Sequence, residues 1–282
     1  MQYTIKNNLL SLTVDDFGAE PISIRHSGKE WLWQNQTGDW NGHAPILFPI
    51  CGNCQLWEEG KLYKMNRHGF ARISQFSIAK QTANSLTFVL KSNDETKKLY
   101  PFDFEFYATY TIHDDTLTID YEMANTGTKP LYFACGGHES FYLDDDYANY
   151  KLIFDKEEEF VSLGNNDDGR VNDNRISYGS GRVLPMPTEG LVDKLTVVLA
   201  NINSRKVTLC KMDGTPICEI SFEEFTNLLL WSPDGQNAIC IEPWQNLPDT
   251  DKNAQTEFSL KQGVTKVDVG TTKKFTRKIR YV

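Results

Sequence analysis

The chain has 282 residues, with 29 basic and 38 acidic side chains and a net charge of -9. An acidic surface argues against nucleic acid and anionic membranes as partners, because both need a cationic footprint. No apolar run approaches the roughly 20 residues of a membrane span, and the start, Met1-Gln2-Tyr3-Thr4-Ile5-Lys6, has no signal-peptide core. The expectation is a cytoplasmic protein whose 6 cysteines are reduced thiols.

In chain order, the predicted elements are mostly strands. Ser85–Lys91 and Phe104–Ile112 read as strands, followed by a turn at His113-Asp114-Asp115. In Thr116–Met123, Leu117, Ile119, Tyr121 and Met123 alternate with polar residues, the period of a half-buried antiparallel strand. Lys206–Lys211, Glu257–Leu260 and Phe275–Tyr281 repeat that pattern. Turns are marked at Asn125-Thr126-Gly127, Asp213-Gly214 and Asp234-Gly235. The best helix signal is one turn around Asp94–Leu99. Asn165–Gly181, rich in Asn, Asp, Gly and Ser, reads as a long surface loop. Many strands and few helices predict an all-β fold, a large antiparallel sandwich or barrel. Similar strands on both sides of that loop favour one domain over residues 1–282, a length such folds reach.

Three segments carry chemistry. In Gly136-Gly137-His138-Glu139-Ser140-Phe141, paired glycines after an apolar strand aim His138 at a cleft. In Cys240-Ile241-Glu242-Pro243-Trp244, alternation puts Glu242 on the face of Cys240, so the carboxylate continues a buried face. In Arg67-His68-Gly69-Phe70-Ala71-Arg72, Arg72 joins His68 only if the loop curls. Burial moves His and Glu pKa values, and two histidines with a carboxylate can move protons on a neutral polar substrate. Each also has a structural reading: a hydrogen-bonded His, a strand-end Glu, a surface basic cluster. Cys51-Gly52-Asn53-Cys54 is a single C-x-x-C, without the helix start of a redox motif or the second pair of a zinc site. Trp231, Trp244 and Phe141 are candidates to stack on a sugar.

These segments resemble the aldose 1-epimerase (galactose mutarotase-like) family, in its LacX-like branch. The resemblance is carried by Ala44-Pro45-Ile46-Leu47-Phe48-Pro49-Ile50, by His68-Gly69-Phe70-Ala71-Arg72, by Tyr100-Pro101-Phe102 through Gly137-His138, and by the Glu242 segment, in that order. It implies a galactose mutarotase-type β-sandwich with an open sugar cleft and an aldose as the small-molecule partner. Glu242 would be the general base and His138 the general acid. His68, Arg72 and Asp193 would bind substrate, and no cofactor or metal would be needed. Where relatives commonly carry Arg, this chain has Asn53, which removes an expected positive charge. The resulting expectation is weak discrimination between free and phosphorylated sugars, leaning to the neutral one.

Other functions remain open on sequence. A sugar-binding module on the same fold would not need an acid–base pair. His68, His138 and Glu242 could form a two-histidine, one-carboxylate metal site, though no close spacing fixes two ligands on one strand. A glycoside hydrolase needs two carboxylates across the bond, and only Glu242 is a strong candidate.

Overall fold

The computed structural model describes all of residues 1–282 except 167, 188–190, 192–194 and 236. The fold is mostly antiparallel sheet, as expected for an all-β chain. The alternation in the sequence appears directly as burial. In the hairpin Phe104–His113 and Thr116–Asn125, every second residue is buried. The register pairs Leu117 with Ile112, Ile119 with Tyr110 and Met123 with Phe106. Each large apolar side chain taken out of water in this way contributes about 1.5–3 kcal/mol.

This hairpin lies within one long sheet. Its strands run in the order Glu139–Tyr142, Ala238–Trp244, Asn227–Trp231, Val197–Leu199, Tyr150–Asn165, Lys206–Lys211, Pro216–Ser221, Thr272–Tyr281, Thr116–Asn125, Phe104–His113, Ser85–Lys91 and Ser77–Gln81. Val171–Pro185 pairs beside Tyr150–Asn165. A four-stranded sheet, Gln2–Lys6, Leu10–Asp15, Glu20–His26 and Lys29–Glu30, packs over part of it. Tyr3 meets Phe88 edge-on at 5.6 Å, and the Tyr110 hydroxyl donates to the Ala19 carbonyl at 2.6 Å. The main apolar core reaches from Ile5 to Tyr281.

Two segments differ from their predicted form. Asn165–Gly181 is not a loop: most of it is the strand Val171–Pro185, laddered onto Tyr150–Asn165 with three register shifts. Its middle is mostly exposed, so its side chains carry no apolar alternation, and the backbone ladder is the main thing that holds it. Glu257–Leu260 is a 3-10 turn at Phe258–Leu260 rather than a strand. Phe258 is buried, but Leu260 is 75% exposed, so the apparent alternation does not mark a single buried face. The helix Asp94–Leu99 forms where predicted. Asn93 accepts from the Glu95 and Thr96 amides while Thr96 Oγ1 accepts from the Asn93 amide, a cap worth about 1 kcal/mol.

Candidate active site

The segment Ala44–Ile50 ties the three chemical segments together. Leu47 exchanges backbone hydrogen bonds with Gly136, at 3.1 Å each way. Phe48 donates to the His68 carbonyl at 3.2 Å, and Phe70 donates back to Phe48 at 2.9 Å. Gly136 forms a further bridge to Trp244. His68 and Gly69 both take left-handed backbone, φ 68° and 73°. At Gly69 a Cβ would lie 2.0 Å from the Phe48 carbonyl oxygen, so only glycine fits there. Ala71–Ile73 then forms a 3-10 turn, the curl that brings Arg72 to the same cavity as His68.

The strand Ala238–Trp244, buried along its whole length, carries Glu242 and lies between Asn227–Trp231 and Glu139–Tyr142. His138 immediately precedes the latter strand. Its ring reaches Glu242, with Nε2 3.4 Å from Oε2. Gly137 has no room for a side chain, because the Arg277 guanidinium lies against its Cα.

A cavity of about 420 Å³ opens above these groups, within the range of small-molecule sites. Arg67, His68, Arg72, His138 and Glu242 line it together with Trp40, Trp231 and Trp244. Trp40 stacks on His138 with ring centres 5.1 Å apart, and Trp231 meets His138 edge-on at 5.8 Å. Of the aromatics named from sequence, Trp231 and Trp244 line the cavity. Phe141 does not; it is fully buried in the core. Trp40 was missed by motif reasoning. Its signal was a large aromatic among polar, turn-forming residues, Thr37-Gly38-Asp39-Trp40-Asn41-Gly42.

Burial sets the electrostatics. Glu242 is 1% exposed, and desolvation raises its pKa well above the usual carboxylate range; the Trp244 indole, donating to Oε2 at 3.1 Å, opposes this. Desolvation lowers His138 to about 3. Both charges are disfavoured, so the pair is poised to share a single proton and remain neutral overall. His68 is pushed well below its ordinary value by burial and then by nearby His138, Arg72 and Arg67. Its Nδ1 accepts the Gly52 amide at 3.0 Å, which leaves the proton on Nε2 as a donor.

The remaining expected residues fall as follows. Asn53 does not line the cavity; its carboxamide donates to the Asp168 carbonyl. Asp193 lies outside the described residues. The side chains of His138, Cys240 and Glu242 offer metal-ligand atoms within 4.8 Å of one another, a different set from the His68, His138 and Glu242 of the metal reading. Cys51 and Cys54 are buried free thiols. Among the described residues Glu242 is the only carboxylate lining the cavity, short of the pair a glycoside hydrolase uses.

Comparison with known proteins gives the family and the fold. The family model for aldose 1-epimerase matches residues 1–265. The chromosomal LacX protein of Lactococcus lactis subsp. lactis is 30% identical over 270 residues, covering 88% of each chain. A galactose mutarotase-like protein from Lactobacillus casei superposes with a TM-score of 0.90 at 27% identity, over 100% of both chains. A galactose mutarotase related enzyme from Lactobacillus acidophilus gives 0.87 at 27% identity, over 100% of this chain and 97% of that one.

Proposed function

The chain belongs to the aldose 1-epimerase family, and we propose that within it the protein interconverts the α and β anomers of an aldose by opening and closing the sugar ring. The observation carrying this reading is the buried His138–Glu242 pair at 3.4 Å on the floor of the cavity. Anomer exchange needs one group to take the anomeric hydroxyl proton and another to protonate the ring oxygen as its bond to the anomeric carbon breaks.

Glu242, as carboxylate, takes the hydroxyl proton, and His138, as imidazolium, gives one to the ring oxygen. The electron pair of the O–H bond forms the carbonyl, and the pair of the C–O bond stays on the ring oxygen. Rotation about the bond to the carbonyl carbon, then the reverse transfers, closes the ring to the other anomer. The 3.4 Å contact lets one proton pass from Glu242 to His138, which readies both groups without net charge change; substrate hydroxyls then stabilise the charges that burial disfavours. His68 Nε2–H and Arg72 donate to sugar hydroxyls, and Trp40, Trp231 and Trp244 offer faces to the apolar side of the ring.

The test is polarimetry or NMR on freshly dissolved pure anomers of several aldoses and their 6-phosphates. Interconversion faster than the buffer rate, saturating with sugar, is expected. Saturable binding with no acceleration for any sugar would instead make the protein a sugar-binding module.

A further inference from the structure

Asn53 lies outside the cavity, but its neighbour Arg67 brings a positive charge into it. Arg67 lines the cavity near its mouth, and its guanidinium lies over Gly169, where a Cβ would sit 1.9 Å from Nη2. The same absent Cβ would lie 2.8 Å from the Asn53 carboxamide nitrogen, so Arg67 and Asn53 meet above one glycine. Gly169 is left-handed, φ 75°, a backbone that residues with a side chain rarely adopt, and its missing Cβ leaves the guanidinium its present place.

Arg67 is not alone. Arg72 lines the same cavity, half-buried, and its Nε is buried with no hydrogen-bond partner among the described residues. Among those residues neither guanidinium lies within ion-pair distance of a carboxylate. Glu20 is the carboxylate whose charge reaches Arg72, and its Oε1 already accepts the His43 and Ala44 amides at 2.6 and 2.9 Å. Asp168, beside Gly169, is paired with Arg170. The one described carboxylate in the cavity, Glu242, is pushed toward its neutral form by burial. Among the described residues, two guanidiniums without an ion-pair partner therefore face one cleft, where low-dielectric walls focus their field.

We propose that the preferred substrate is an anionic aldose, bearing a phosphate or carboxylate away from its anomeric carbon, and that Arg67 is the specificity-determining residue that meets this anion. Guanidinium recognises both groups by paired, charge-assisted hydrogen bonds. The reacting end sits on the buried His138–Glu242 floor, and the anionic end reaches the exposed Arg67 rim. This assignment rests on the ring-opening reading above and reverses the lean toward neutral sugar drawn from Asn53 alone.

The experiment compares kcat/KM for anomer interconversion of glucose, glucose 6-phosphate and glucuronate at low and high salt, with calorimetric binding of the same three sugars in parallel. At least one anionic sugar should exceed glucose by about tenfold or more at low salt, with the margin narrowing as salt is raised. Which anion gains tells phosphate from carboxylate. In Arg67→Gln the ratio should fall toward unity, and in the double variant Asn53→Arg/Arg67→Gln it should recover. Glucose handled as well as both anions would overturn the proposal. A ratio unchanged in Arg67→Gln would overturn the role of Arg67. If no sugar is turned over, tighter calorimetric binding of an anionic sugar still upholds the charge assignment while the ring-opening reading fails; equal binding of all three refutes the charge assignment as well.

Discussion

Two buried glutamates on neighbouring strands, Glu139 and Glu242, are 2% and 1% exposed. Glu139 is held by Arg277, whose Nη1 donates to Oε2 at 2.5 Å while Nη2 donates to the Tyr121 hydroxyl at 2.9 Å. Glu242 has an indole N–H and an imidazole, but among the described residues no Lys or Arg within ion-pair distance. A buried carboxylate bound by a matched guanidinium serves the fold. One without it lets its proton come and go, which is what acid–base chemistry requires.

The largest expected effects exchange the two roles. Glu242→Gln keeps the shape of the site and removes the base, so turnover should fall by about 10²–10⁴-fold, with sugar binding largely retained. His138→Asn should give a similar loss from the acid side. Glu139→Gln should instead destabilise the fold by about 3–5 kcal/mol, because it strands the Arg277 charge in the core, while folded molecules keep their turnover. Denaturant titration and single-substrate kinetics on all three variants separate the outcomes. Near-normal turnover in Glu242→Gln, or unchanged stability in Glu139→Gln, would erase the contrast between the two carboxylates.

The next effect is on stability against pH. His138 is lowered from 6.5 to about 3 by burial, so the folded chain holds fewer protons on it than the unfolded chain between those values. Its contribution is present above about pH 6.5 and is lost as pH falls toward 3, with a slope of at most about 1.4 kcal/mol per pH unit. Glu242 is raised above 4.5, so the folded chain holds more protons on it, and stability declines as pH rises from there through the raised value. Relative to the wild type, His138→Asn should therefore gain stability as pH falls below 6.5, and Glu242→Gln should gain as pH rises above 4.5. Unfolding midpoints that run parallel to the wild type across this range would mean neither group is perturbed as described.

The sequence showed the strands well because they have one dry face. Leu117, Ile119, Tyr121 and Met123 announce themselves by alternation, and Asn93 and Thr96 cap their helix locally. Val171–Pro185 was illegible because its side chains mostly face water and its order resides largely in backbone pairing, with register shifts, to the preceding strand Tyr150–Asn165. At the site, His68, His138 and Glu242 were legible from local motifs and from family resemblance. Arg67 was visible only as a neighbour of His68. Its place beside Asn53 depends on a left-handed glycine about 100 residues later, a long-range contact that no local pattern encodes.

The smallest expected effect tests how His138 is kept unlike Glu139, by a cover of aromatic rings rather than a partner charge. Trp40, half-buried, lies nearly parallel to the imidazole at an interplanar angle of 28°, and Trp231 meets Trp40 edge-on at 5.3 Å. Such pairs contribute about 0.5–1.5 kcal/mol beyond the area they bury. Desolvation is the main cause of the lowered His138 pKa, so removing the ring should readmit water and move that pKa from about 3 back toward 6.5. Trp40→Ala should shift the His138 titration upward in a proton NMR experiment and reduce turnover by about 2–12-fold, the equivalent of the lost stacking. The lost ring pairs should also lower stability at neutral pH by about 0.5–1.5 kcal/mol, less than the loss expected for Glu139→Gln. A His138 titration that stays near 3 in Trp40→Ala would show that the strand ends and Trp231 alone keep it dry, and the comparison would then rest on the sheet rather than on the aromatic cover.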